Sequence, residues 1–213
     1  RHRVSPEAQA VLQEYLTDNG LDTVKVRLNQ YAPGGEWRRL VKNKSVGWFY
    51  RYTFGALSLV FYTILPGRLF GGDHYNPFTN TVNIYSDDPG ILLHEAGHAK
   101  DFARRKLKGT YALLRAIPFV PLYNEAVATN DAIDYTIDKQ QPAAQKDAYK
   151  VLYPAYGTYV SGEVAAWFGG PFSYLESLAV ALAGAIPGHI IGRIKAAHVE
   201  DEPAPRVEPQ ASQ

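Results

Sequence analysis

The chain contains no cysteine and no methionine among its 213 residues. Without cysteine there are neither disulfides nor thiolate metal ligands, so a strong metal site must be built from His, Asp and Glu. Charge imbalance is missing too: 22 Lys and Arg stand against 21 Asp and Glu, a formal net charge of +1. No long-range field therefore favours a strongly anionic polymer, and a nucleic-acid partner is not expected. A length of 213 residues suffices for one real core and barely for two, which points to a single domain over residues 1–195 and a polar, disordered tail over 196–213. The sequence opens at Arg1. With no Met anywhere, the expectation is that the natural N-terminus has been removed, leaving room for an upstream signal peptide or anchor.

Ser5-Pro6-Glu7, an apolar series at Ala10, Val11, Tyr15 and Leu16, and the closing Asn19-Gly20 predict a capped helix. Alternation over residues 21–31, with Val24, Val26 and Leu28 against Lys25, Arg27 and Asn29, predicts a half-exposed strand that Pro33-Gly34-Gly35 ends. A short helix or strand follows over residues 37–44. Residues 79–85 (Thr-Asn-Thr-Val-Asn-Ile-Tyr) predict another strand. After it, Asp88-Pro89 opens a helix expected to reach Leu107, with Gly109 just past its end. Further helices are expected over residues 123–139 and from Pro142 through the tyrosine-rich 149–159 region, followed by a break at Gly169-Gly170-Pro171.

Two stretches have few charges. Residues 45–67 carry only Arg51 and begin with Trp48, Phe49, Tyr50 and Tyr52; residues 172–194 hold Gly184, Gly188 and Gly192 at intervals of four, with Ala181 and Ala185 beside them. Each is either buried core or a segment that docks on or enters a membrane. Pro187 would kink the second, and Glu176 and His189 are costly in lipid. In the membrane reading, which places the protein at a membrane or in the cell envelope, the aromatic cluster lies at the headgroups and Arg51 snorkels outward.

The chemistry concentrates in His94-Glu95-Ala96-Gly97-His98. Histidines four apart share one helical face, so both imidazoles can reach one ion, and Glu95 is placed to face a bound water as general base. Small Ala96, Gly97 and Ala99 suit a helix buried on more than one side, since an exposed helix gains nothing from the glycine. This segment, a strand before it, and a later helix with Asn124-Glu125-Ala126 resemble the gluzincin branch of the zincin metallopeptidases over residues 73–140. The resemblance implies an α+β, zincin-like fold: a small mixed or antiparallel sheet packed on the HExxH helix, a second ligand-bearing helix, and a mostly helical C-terminal half. It implies zinc held by His94, His98 and Glu125, and hydrolysis of a peptide or protein substrate. It also likens residues 79–85 to an edge strand along which substrate pairs, the other reading being an ordinary sheet strand. The branch often has an Asp four residues after the ligand Glu; here that position is Thr129, with Asp131 two further on.

Asp101 is the rival third ligand, being on nearly the same stripe, but three ligands from one straight helix wrap poorly around a tetrahedral ion. Its other reading is as a partner that orients a histidine or a neighbouring helix. His74 and His189 are weaker ligand candidates, and Tyr153, Tyr156 and Tyr159 are candidates to stabilise an oxyanion. Two further functions remain open: a non-catalytic zinc-binding regulator, and a membrane-associated scaffold.

Overall fold

The computed structural model describes residues 3–65, 72–168 and 174–201, giving the backbone alone for 167–168, 174–178 and 181. The architecture is mixed α+β, largely helical, with one three-stranded sheet. Helix α1 (Pro6–Asp18) starts where Ser-Pro-Glu places it: the Ser5 hydroxyl accepts from the Ala8 N–H at 3.2 Å, and Gly20 takes φ +63° past the end. Strand β1 (Lys25–Leu28) is shorter than the alternation suggests, because Asn29 turns into the left-handed region at φ +55° and stops it. Pro33-Gly34-Gly35, expected to end a strand, instead forms the first turn of α2 (Pro33–Lys42). Proline suits a first helical turn, where its missing N–H has no partner to lose.

A three-residue helix α3 (Trp48–Tyr50) passes through a π-helical turn (Arg51–Gly55) into α4 (Ala56–Ile64). The run is buried along one stripe, Arg51, Gly55, Leu59 and Tyr62, and most of its remaining side chains face outward. Arg51 does not snorkel. It is 4 % exposed and donates from Nη1 to the carbonyls of Leu40 (3.0 Å) and Val41 (2.7 Å), filling acceptors that the end of α2 leaves open. Among the described residues no helix is long and apolar enough to cross a membrane.

Strands β2 (His74–Asn76) and β3 (Thr81–Ile84) complete the sheet in the order β1-β3-β2, with β1 parallel and β2 antiparallel to β3. This corrects the edge-strand expectation for residues 79–85: β3 is the middle strand, bonded on both sides. Central placement also explains why Thr81 and Asn83 are buried along with Val82 and Ile84. The apolar residues join the main core with Leu12 and Tyr15 of α1. Thr81 accepts from Arg39 Nε at 3.1 Å, and Asn83 meets His74 across the β2 pairing.

Helix α5 (Pro89–Arg104) stops three residues short of the expected Leu107 because Arg105 turns extended (φ −82°, ψ 131°). A separate helix, α6 (Lys108–Leu114), follows with Gly109 inside it. Helices α7 (Val120–Asp138) and α8 (Pro142–Phe168) continue the bundle, and α9 (Tyr174–Ala197) packs back along α8. The glycine face of α9 makes that approach: a Cβ at Gly184 or Gly192 would overlap the carbonyl of Gly157 or Tyr149, and one at Gly188 would lie 2.7 Å from the Pro154 Cα. Residues 196 and 197, expected in the tail, are still helical, and Lys146 pairs with Asp201. The break at residues 169–171, the tail from 202 onward, and the side chains of Ala181 and Glu176 lie outside the described residues.

Candidate metal centre

Helix α5 owes its start to Asp88, whose carboxylate accepts from the N–H groups of Gly90 (2.9 Å) and Ile91 (3.3 Å). Leu92, Leu93, Ala96, Ala99 and Phe102 anchor it in the main core, and Gly97 lets α7 approach: a Cβ there would sit 3.1 Å from the Ala128 carbonyl. That close crossing brings Glu125 of α7 over the face carrying His94 and His98.

The three ligand atoms lie within 4.8 Å of one another, and all three residues are buried. Glu125 Oε2 is 3.0 Å from His94 Nε2 and 3.4 Å from His98 Nε2. An ion with tetrahedral bonds of about 2.0–2.2 Å separates its ligand atoms by roughly 3.3–3.6 Å, and both Glu125–histidine separations lie within a few tenths of an ångström of that range. Two imidazoles and a carboxylate form a donor set suited to divalent transition metals, and this buried group could hold a metal ion. Thr129, standing where the resemblance calls for an Asp, places its hydroxyl 3.3 Å from His94 Nδ1. With Nε2 turned to an ion, Nδ1–H would donate to that hydroxyl and fix the ring.

Burial works against charge on His94, but the hydrogen bond to Glu125 and the carboxylates of Glu95 and Glu125 outweigh it and raise its pKa. Burial likewise opposes ionisation of Glu125, yet hydrogen bonds from His94 and His98 hold its carboxyl well below the usual range. Glu95 is buried beside the group and accepts no hydrogen bond from any described residue.

Asp101 lies outside the metal-binding group. It accepts hydrogen bonds from Arg105 and from the Tyr111 hydroxyl of α6, and Asn124 of α7 donates to that same hydroxyl. Its work is to tie α6 and α7 to α5, and among the described residues no histidine is its partner. Asp131 is remote in role as well, bonded to Lys100 and the Tyr15 hydroxyl. His74 is held on β2 by Gly72 O and Asn83, and His189 is exposed on α9; neither joins the group. Of the three tyrosine candidates, Tyr159 is the one coupled to the site by charge: the residue is 45 % exposed, and partial desolvation followed by the carboxylates of Glu125 and Glu95 pushes its pKa up. Tyr153 packs against the core beside Tyr149.

Arg115 escapes the sequence reading. Its Nη2 donates to Glu125 Oε1 at 3.3 Å, from a turn between α6 and α7 that ends in Phe119 at φ +64°. A lone arginine in a Pro-punctuated loop gives no periodic signal, and only the position ten residues before Glu125 hints at it. The site thus defines a mixed α+β protein with a buried His2Glu group. Compared with protein-family models, curated proteins and solved structures, the chain gives no match.

Proposed function

We propose that this chain is a zinc-dependent peptidase of the gluzincin kind, with His94, His98 and Glu125 as ligands and Glu95 as general base. The observation that carries the reading is the convergence of those three residues beside a buried carboxylate, Glu95, that accepts no hydrogen bond from any described residue. A purely structural ion would have no need of Glu95 and would usually fill its fourth position from the protein. The order of strand β3, helix α5 and helix α7 supports a zincin-like arrangement.

When bound, zinc supplies a Lewis acid that acidifies water and polarises a carbonyl oxygen. Glu95 takes the proton from the attacking water and returns it to the leaving amine, so that water adds across the peptide bond with no covalent enzyme species. Tyr159, the candidate tyrosine coupled by charge to Glu125 and Glu95, donates toward the oxygen on which negative charge develops. Arg115 and Thr129 hold Glu125 and His94 in place.

The test is hydrolysis of an unfolded protein by the zinc-loaded chain. Glu95→Gln is expected to retain zinc and to lose about 10²–10⁴ in rate, the usual contribution of a positioned general base. Near-normal turnover in that variant ends the mechanism. Stoichiometric zinc with no hydrolysis by the unaltered chain would make this a non-catalytic zinc protein.

A further inference from the structure

The near-neutral total hides a segregated charge. Residues 37–72 and 102–124 contain no Asp or Glu, yet they hold eleven of the 22 Lys and Arg. The fold brings the two segments together: the Tyr50 ring occupies the space where Gly109 lacks a side chain, and the Tyr50 hydroxyl lies 3.1 Å from that of Thr110. A groove of about 360 Å³ at this junction is lined by Arg39, Lys42, Lys44 and Lys108 and by no acidic residue.

Part of this charge is already engaged. Arg39 and Arg51 donate to backbone carbonyls, Arg105 pairs with Asp101, and Arg115 pairs with Glu125. Among the described residues Lys42, Lys44, Lys106 and Lys108 have no carboxylate partner. Interleaved with them are large apolar side chains in water: Trp48 is 70 % exposed, Leu107 72 %, and Val41 and Phe49 51 % each. The apolar surface continues along α4 through Leu57, Phe61 and Ile64.

We propose that this face docks on an anionic membrane surface, with the four lysines among the headgroups and Trp48, Phe49 and Leu107 inserted at the acyl boundary. Lysines bind anionic lipid by charge while interfacial aromatics bury area, and the two contributions add. A protein groove would take one stripe of an amphipathic helix. Here α4 presents apolar side chains in most directions other than its buried stripe, which suits a fluid apolar phase better than a shaped one. Nucleic acid is a poorer match because exposed leucine and valine offer it nothing. The proposal is independent of the peptidase reading, and its test needs no catalysis.

The experiment is co-sedimentation of the 213-residue chain with vesicles of phosphatidylcholine alone or mixed with phosphatidylglycerol. Binding is expected only or mainly to the mixed vesicles, and it should weaken as salt is raised. Lys44→Gln with Lys108→Gln should lower partitioning roughly thirty-fold, from the usual contribution of a basic residue near an anionic surface. Trp48→Ser should lower it also, whereas Lys150→Gln, on the exposed part of α8, should change it little. These side chains are exposed or rim a groove, so an unchanged thermal midpoint will show that the variants fold. Equal binding to both vesicle types, binding to neither, or full binding by the double lysine variant overturns the proposal. Self-association abolished by Trp48→Ser, with vesicles ignored, would overturn it in favour of a protein interface.

Discussion

Glu125 divides its two oxygens between different tasks: Oε2 faces both histidines while Oε1 takes the Arg115 guanidinium. Replacing it by alanine removes the proposed third ligand, strands two buried imidazoles and releases Arg115. Asp101→Ala leaves the ligand set whole and cuts only the tie among α5, α6 and α7. Zinc titration should therefore show a far larger loss for Glu125→Ala than the 10–100-fold typical of a supporting residue, which is the range expected for Asp101→Ala; the reverse order would exchange their roles. Protonation gives a second handle. In the metal-free chain Glu125 stabilises the fold as a carboxylate, a contribution present above its ordinary pKa of 4.5 and lost as pH falls through the depressed value. His94 contributes as an imidazolium, fully so below its ordinary 6.5, and that part is lost as pH rises through the raised value. The advantage in thermal midpoint over Glu125→Gln should hence be greatest between those two values. Metal must displace the His94 proton, so apparent affinity should climb by about tenfold per pH unit up to the raised pKa. A flat profile would mean that the ion is not taken by His94. The meeting of His94 with His98 was legible from sequence because a four-residue spacing is a helical fact. Arg115 was not, because a loop conformation with no period carries it.

At the scale of elements, glycines decide which helices may touch. A Cβ at Gly188 would fall inside the van der Waals shell of the Tyr153 backbone and 2.7 Å from the Pro154 Cα, neither of which is the yielding end of a side chain. Gly188→Leu should separate α9 from α8 and cost roughly 1–3 kcal/mol or more, read as a lower midpoint in thermal unfolding. An unchanged midpoint would show that the hairpin is not closed through this face. The spacing of Gly184, Gly188 and Gly192 made that contact surface readable. Helix boundaries were less readable where a residue's role depends on what lies opposite: Gly109 looks like a helix end until Tyr50 is seen filling its place, and Pro33 looks like a strand end although it opens α2. The strand of residues 79–85 was found, but its rank in the sheet was not, since alternation within one strand says nothing about how many neighbours it has.

For the whole molecule, composition proved a poor guide to surface character. A charge of +1 and two apolar stretches left core and membrane both open, with a slight lean toward the membrane. The fold answers by halves, burying one stripe of α4 and the glycine side of α9 while Leu57, Phe61, Ile186 and Ile190 stay exposed. The sheet carries a different lesson, about time. Lys25 meets Thr81 in a parallel ladder, across a span that includes α2, the π-helical turn and α4, whereas α5, α7 and α8 pack on one another within a later, mostly helical stretch. Closing the longer loop costs entropy before any ladder bond forms, and parallel pairing is the slowest kind to nucleate. In refolding followed by pulsed hydrogen exchange, the amides of α5 and α7 are expected to become protected before those of β1; simultaneous protection would refute the order. If it holds, the half that carries His94, His98 and Glu125 can assemble while the first strand is still unplaced, and an ion taken up there would be a scaffold on which the rest of the chain finishes folding.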